Sequence, residues 1–337
     1  MNSRNLIPII LLLSQATLLV GCEKMRDSSL HRAGYVQVRD GTRLHYLDWG
    51  GRGPTLVLLA GLGGSAHTFD DLAPQLTDSF RVIGITRRGT GESDRPSTGY
   101  DVPSRARDDI DVLDSLKISS ALFVGHSIAG DELTEIATQY PQRVAGLVYL
   151  DAAYDRSTQP VVRADDPMMM KPPHASDIPT FAQVLDAQRH TSLGLRPAME
   201  TDSWITLRGK DGEIVSSPPM PIHMAIVDSA KKWHPDYSRI ESPATAIYAF
   251  SPERPGYLTD LWPLDSAETA KWNAIWRSEH WGWQRQEIAR FQRGDPSVKV
   301  IILEPAPHIV YFSNTREVLA AIRAFLPKLS GKDSVRN

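Results

Sequence analysis

Short apolar runs constrain this chain's fold more than any other feature: Pro54 to Leu59, Arg81 to Thr86, Ala121 to Val124, Val144 to Leu150, Ala244 to Phe250 and Val298 to Leu303. They have strand length, and they lack the polar alternation of a strand that faces water on one side. Helical patterns separate the early ones: His67 to Leu76, Arg105 to Leu116 with Ile110, Leu113 and Leu116 on one face, and Ile128 to Tyr140. Strands buried on both faces with amphipathic helices between them imply an α/β chain on a mostly parallel sheet. Upstream, Tyr35 to Trp49 reads as a hairpin that turns at Asp40-Gly41, with Val36 and Val38 on one arm and Leu44, Tyr46 and Trp49 on the other.

At 337 residues the chain is near the upper limit for a single core, so one domain with a sizeable insertion is expected. The pattern lapses from Leu150 to Pro243, a stretch holding Met168-Met169-Met170 and Pro218-Pro219-Met220-Pro221. It lapses again through a Trp-rich helical segment from Asp265 to Phe291. Both blocks read as insertions roofing the sheet. Apart from Trp49, the tryptophans lie in these blocks or just before the second: Trp204, Trp233, Trp262, Trp272, Trp276, Trp281 and Trp283. Such rings either fill a small core of the roof or line an apolar pocket. A last helix, Asn314 to Leu326, opens on a capping-box pattern of Asn314 and Glu317 and carries Val318, Ile322 and Phe325 on its core side. The resulting division is a core of 34–151 and 244–330, a cap or lid of 152–243, and a helical insertion at 252–296.

The first residues read as a separate segment. Arg4 precedes an apolar run from Leu6 to Val20, interrupted by Pro8, Ser14, Gln15 and Thr17, which suits a secretory signal better than a membrane span. Leu19-Val20-Gly21-Cys22 resembles the lipobox of bacterial lipoproteins, and Cys22 is the only cysteine. The resemblance implies a signal at 1–21, lipidation of Cys22 and a tether over 22–33. It also implies a place in the bacterial envelope facing the periplasm, with Glu23 favouring the outer membrane. The alternative is an ordinary signal or an uncleaved anchor with an incidental cysteine. A formal net charge of -3 provides no basic field for nucleic acid, so the expected partner is a small neutral or weakly charged molecule.

The chemistry centres on Gly125-His126-Ser127-Ile128-Ala129-Gly130, between the run Ala121 to Val124 and the helical pattern from Asp131 to Ile136. A sharp strand-to-helix turn with small residues around a serine exposes the hydroxyl and aims the next backbone N–H at an adjoining oxyanion. The loose motif occurs by chance in roughly one chain of this length in four; its place between strand and helix is what matters. Acyl transfer also needs a base, a carboxylate and a second N–H donor. Among ten histidines, His308 in Pro305-Ala306-Pro307-His308 follows the last strand and can reach over the sheet edge as the base. Asp151, directly after Val144 to Leu150, is the preferred acid, and Glu253, after the next strand, is the alternative. Backbone N–H groups of Ile128 and of Leu62, in Ala60-Gly61-Leu62-Gly63-Gly64, are the candidate oxyanion donors. That loop has no lysine to serve a phosphate.

From Tyr35 to Leu326 the chain resembles the α/β-hydrolase superfamily, in Leu59-Ala60-Gly61-Leu62-Gly63-Gly64, in Arg88-Gly89-Thr90-Gly91-Glu92-Ser93, in the elbow around Ser127, and in His308 with its following helix. The order Ser127, Asp151, His308 matches that superfamily, and the place of Asp151 resembles the acid of some haloalkane dehalogenases. Two positions depart from the family: Ala60 where a histidine commonly stands, and Ala129 where a glycine does. The resemblance implies a serine hydrolase of carboxylic esters that needs no metal or organic cofactor. Thioesterase, lactonase, amidase or acyltransferase chemistry would use the same groups, and a binding protein that keeps only the pocket is a further alternative.

Overall fold

Alternate residues of each central strand pack on opposite sides of one sheet: Leu56 and Leu58 belong to one apolar cluster, Val57 and Leu59 to the other. Side chains that alternate across a strand produce this division, and apolar residues at both parities require a cover on both faces. The computed structural model describes residues 31–160, 185, 186, 189, 194, 196–206, 218–251 and 265–333.

The sheet has eight strands in the order β1-β2-β4-β3-β5-β6-β7-β8. They are β1 (Arg32–Gln37), β2 (Arg43–Gly50), β3 (Thr55–Leu59), β4 (Arg81–Ile85), β5 (Ala121–His126), β6 (Val144–Leu150), β7 (Ala244–Ala249) and β8 (Lys299–Leu303). β1 and β2 form the expected hairpin, β2 meets β4 antiparallel, and every pairing from β4 to β8 is parallel. The chain steps from β3 to β4 on one side and then to β5 on the other. The strand order therefore reverses beside β3, and a crevice opens at the carboxyl ends of β3 and β5.

Helices α1 (Val102–Ser115) and α2 (Ala129–Gln139) cover one face, sharing a cluster with Phe123 and Tyr149. The other face is covered by residues 66–80 and by the helix Thr315–Arg323, whose Val318 and Ile322 meet Leu122 and Val148, with Phe325 just beyond it in the same cluster. From the cap come α3 (Pro197–Thr206), against residues 66–69, and α4 (Met220–Lys232), whose Ile226 and Ala230 pack with Tyr100 and Ile128.

Several local expectations are corrected. The pattern His67 to Leu76 is not an α-helix but two 3₁₀ turns, Ala66–Phe69 and Ala73–Leu76. Pro74 has no N–H to donate and its ring would clash with the carbonyl four residues back, so no continuous helix passes it. α1 starts at Val102 rather than Arg105, because Asp101 accepts the Ser104 N–H at 2.9 Å and Pro103 tolerates the first turn. Asn314 makes no side-chain cap; its Oδ1 accepts the Ser313 hydroxyl at 2.8 Å. The complete capping box is at Asp265 and Glu268 instead, opening α5 (Ser266–Ile275).

The Trp-rich segment also differs from a roof. Its second helix, α6 (Trp281–Gly294), buries Trp283, Gln284, Glu287, Ile288 and Phe291, a stripe at helical spacing. Trp283, Ile288 and Phe291 join the main cluster beside Tyr149 and Tyr248, so α6 is a layer of the core. Trp272 is buried too, while the side chains of Trp204 and Trp262 lie outside the described residues.

Candidate active site

Strand register brings the chemistry together. Leu59 pairs with Gly125 and His126 pairs with Leu150, so Gly61, Ser127 and Asp151 follow in step at three neighbouring strand ends. The Ser127 N–H donates to Leu150 O at 3.2 Å, and the Ser127 carbonyl accepts the Gly130 N–H at 3.0 Å. Ser127 has φ +54, the left-handed conformation expected of a serine lifted clear of a strand-to-helix turn. α2 can leave this turn so sharply because Gly130 has no side chain: a Cβ there would lie 2.0 Å from Ala152 O. The glycine that close packing demands is therefore residue 130, which explains how residue 129 can be alanine.

His308 follows β8 and meets Asp151, its Nδ1 lying 2.6 Å from Asp151 Oδ2. The other carboxylate oxygen accepts the Tyr154 hydroxyl and, at 3.1 Å, the Ala249 N–H from the end of β7. Tyr154 is steadied by Gln284 of α6, whose Nε2 donates to the hydroxyl at 2.9 Å and to Ala249 O at 3.1 Å. Burial works against ionising Asp151, but His308, Tyr154 and the Ala249 N–H outweigh it and hold the carboxyl below its ordinary range. An imidazole held at Nδ1 by a carboxylate presents Nε2 as its reactive nitrogen. In the resting geometry no hydrogen bond joins Ser127 Oγ to His308 among the described residues, a bond that unliganded hydrolytic sites commonly close only with substrate.

The loop after β3 is held from behind. Arg87 Nη2 donates to Ala60 O at 2.9 Å, and its Nη1 to Gly61 O at 3.3 Å. The same guanidinium clamps Glu132 of α2 through Nε and Nη2, both at 2.6 Å. Burial would raise the Glu132 carboxyl, but Arg87 and Arg105 hold it below its ordinary range. In a trans peptide the N–H points opposite to the C=O. Turning the Gly61 carbonyl toward Arg87 therefore turns the Leu62 N–H away from it. A Cβ on Gly61 would lie 3.3 Å from Ser127 Cβ, so the loop closes directly over the serine. Leu62 and Ile128 share one small apolar cluster with Ile222 and Ile226 of α4.

His126 was not expected to matter. Its Nε2 lies 3.1 Å from the His308 carbonyl, an oxygen that can only accept, so Nε2 carries the proton. Its Nδ1 then faces Gly61, where an added Cβ would come within 2.7 Å. Burial first, and the nearby His308 second, push the ring down to about 3, which keeps it neutral. His126 thus fills the space between the loop and the His308 backbone. Its place before the elbow serine was the only sequence signal. Arg87, seen in sequence only as a neighbour of the Arg88 motif, had none.

The structure thus gathers Ser127, Asp151, His308, Leu62 and Ile128 at one edge of the sheet. Glu253 and Cys22 lie outside the described residues. Residues 54–250, more than half of the chain, match a family profile described as the alpha/beta hydrolase fold, and the chain belongs to that family. A non-heme chloroperoxidase of Streptomyces lividans is 38% identical over 122 residues, 35% of this chain and 44% of that protein. A 2-(acetamidomethylene)succinate hydrolase of Mesorhizobium japonicum is 33% identical over 101 residues, 30% of this chain and 36% of that protein. The matches thus span less than half the length of these curated relatives. A crystal structure of E-2-(acetamidomethylene)succinate hydrolase superposes with a TM-score of 0.64 at 20% identity, covering 88% of this chain and 99% of that one. Likeness at that identity concerns the fold.

Proposed function

We propose that the chain is a serine hydrolase that cleaves carboxylic esters of small or medium apolar substrates through an acyl-enzyme. Ser127 Oγ attacks the carbonyl while His308 Nε2 takes its proton. Asp151 holds the imidazole and stabilises the imidazolium, and the Leu62 and Ile128 N–H groups receive the oxyanion. His308 returns the proton to the leaving alcohol, and water, activated by the same histidine, releases the acid. The reading is carried by the 2.6 Å bond from His308 Nδ1 to Asp151 Oδ2 beside a serine at φ +54. The apolar side chains of Leu62, Ile128, Ile222 and Ile226 favour an apolar substrate portion.

A fluorophosphonate probe should label Ser127 in the wild type and fail in Ser127→Ala. Unlabelled, folded wild type would refute the hydrolase reading in favour of a binding protein. Nitrophenyl esters of increasing chain length, with thioesters, lactones and amides beside them, then decide the bond cleaved; turnover of amides without esters would overturn the ester assignment. We also propose, from the lipobox resemblance, that Cys22 anchors the protein in the bacterial envelope facing the periplasm, with the outer membrane favoured. Cys22→Ser should then move it from the membrane to the soluble fraction.

A further inference from the structure

We propose that His45, His67 and Glu92 form a binding site for one divalent transition-metal ion of the zinc type, apart from the serine centre. The three side chains come from separate elements: β2, the 3₁₀ turn after β3, and the loop after β4. One ring nitrogen from each histidine and one Glu92 oxygen lie within 4.8 Å of one another. His45 Nε2 is 3.3 Å from Glu92 Oε2. Two donors at zinc-ligand distances around one tetrahedral ion are about 3.4 Å apart, so this pair already has nearly the required separation.

The outer contacts prepare both rings for metal. His67 Nδ1 meets Asp70 Oδ2 at 2.8 Å, a carboxylate that places the ring proton on Nδ1. His45 Nδ1 meets Thr86 Oγ1 at 3.0 Å, and that hydroxyl also accepts the Ala66 N–H at 3.0 Å. A carboxylate or hydroxyl on the far ring nitrogen is the usual way in which a ligating imidazole is oriented. His45 is only 1% exposed, yet its Nε2 makes no hydrogen bond among the described residues. A buried imidazole nitrogen without hydrogen-bond geometry, beside a carboxylate, is an arrangement that a cation would complete. The two rings lie nearly parallel, 19° apart with centroids 5.8 Å from each other. His31 is next to them, its ring 5.2 Å from that of His67.

Such an ion would tie β2 to the segment just beyond Gly64. Ser65 caps the 3₁₀ turn that holds His67 and Thr68; the Thr68 hydroxyl is 2.9 Å from that of Tyr311, and the Tyr311 ring stands edge-on to His126 at 5.1 Å. The ion would therefore stiffen the base of the loop that covers Ser127 without taking part in the reaction.

The test uses the untagged full chain, freed of metal with EDTA and titrated with Zn²⁺ by calorimetry and with Co²⁺ by visible absorption. We expect about one equivalent bound, a higher melting temperature with Zn²⁺, and affinity at least tenfold weaker in Glu92→Gln and in His45→Gln, the scale on which metal sites respond to lost partners. Glu92 is half exposed, so Glu92→Gln should fold even where loss of the buried His45 ring does not. Folded wild type that takes up no stoichiometric Zn²⁺ would overturn the site, as would wild-type affinity in Glu92→Gln.

Discussion

Arg87→Lys keeps the positive charge behind the Ala60–Gly64 loop but removes the fork that shapes it. The guanidinium makes two 2.6 Å contacts to Glu132 and reaches two loop carbonyls at 2.9 and 3.3 Å. A lysine has three donors on one atom and can serve the carboxylate or the carbonyls, not both in this geometry. Net hydrogen bonds to charged groups are each worth about 1.5–3 kcal/mol, and the lysine retains some of them, so we expect a stability loss of about 2–4 kcal/mol. The rate should suffer separately. With the Gly61 carbonyl released, the Leu62 N–H is no longer aimed, and loss of one oxyanion donor costs about 10²–10³ in kcat.

Urea melts measure the first quantity; fluorophosphonate labelling rates and ester turnover below the melt measure the second. The variant Arg87→Met leaves the buried Glu132 with only Arg105, at 3.1 Å, and should be less stable than Arg87→Lys, because an orphaned buried charge costs about 3–5 kcal/mol. Adding Glu132→Gln to Arg87→Met should restore part of the stability and none of the rate. If Arg87→Lys loses stability as expected but labels and turns over within about threefold of wild type, the guanidinium does not position the loop, and the peptide-plane argument fails.

Asp151→Asn should lower kcat by about ten-thousandfold, whereas Glu253→Gln should leave it nearly unchanged; the reverse order in the same assay would make Glu253 the acid. Because the Asp151 carboxyl is held below its ordinary range, its stabilising contribution is complete above the unfolded carboxylate pKa and is lost as pH falls through the lower folded value. Acid melts of Asp151→Asn should therefore fall less steeply below pH ~4 than those of wild type. Asp202 is the opposite case: burial, against the Ser65 hydroxyl and N–H, raises it to about 6, so its charge costs stability that grows as pH climbs toward 6 and is constant above. Asp202→Asn keeps both bonds to Oδ1 and should gain about 1–2 kcal/mol at pH 8, with the gain fading in melts at acid pH. Gly130→Ala should lose about 3 kcal/mol or more, since its Cβ would meet the Ala152 carbonyl; a soluble variant melting near wild type would show that α2 can shift.

The strands were legible because burial on both faces writes itself as unbroken apolar runs; β6 falls on the expected residues, Val144–Leu150. The placement of Ser127 and His308 beyond strand ends was legible for a related reason, since each follows such a run. The 3₁₀ turns at residues 66–76 were less so: apolar spacing there mimics a helix, and only Pro74 marks the break. The role of α6 was hidden because its stripe mixes Trp283 and Phe291 with the polar Gln284 and Glu287, whose burial is repaid by contacts from residues far away in sequence. The charge network of Arg87, Glu132 and Arg105 leaves no local signature at all. Charged residues ordinarily face solvent, and only the fold shows that two guanidiniums share the Glu132 carboxylate behind a loop. The histidines at positions 45 and 67 have the same character: each is unremarkable on its own element, and the antiparallel return of β2 beside β4 brings them together.

The position proposed for the acid follows from strand register. Leu150 pairs with Ile247, so the residue after β6 comes level with the last residues of β7, where most enzymes of this fold carry the acid. Asp151 takes up that place by donating its own N–H to Ile247 O at 2.7 Å and turning at φ +48, which ends the strand one step early. β7 then contributes an amide, Ala249 N–H, and α6 contributes Gln284, which ties Tyr154 to the Ala249 carbonyl. What the imidazole needs is one carboxylate oxygen at its Nδ1, with the other oxygen fully satisfied so that the charge stays put. Either strand end can supply the carboxylate, provided that its neighbour supplies the donors. The proposed mechanism makes α6 part of the machinery: truncating Gln284 to alanine should loosen Tyr154 and cost rate before it costs fold, whereas a variant that melts early yet keeps its kcat would confine the helix to a packing role.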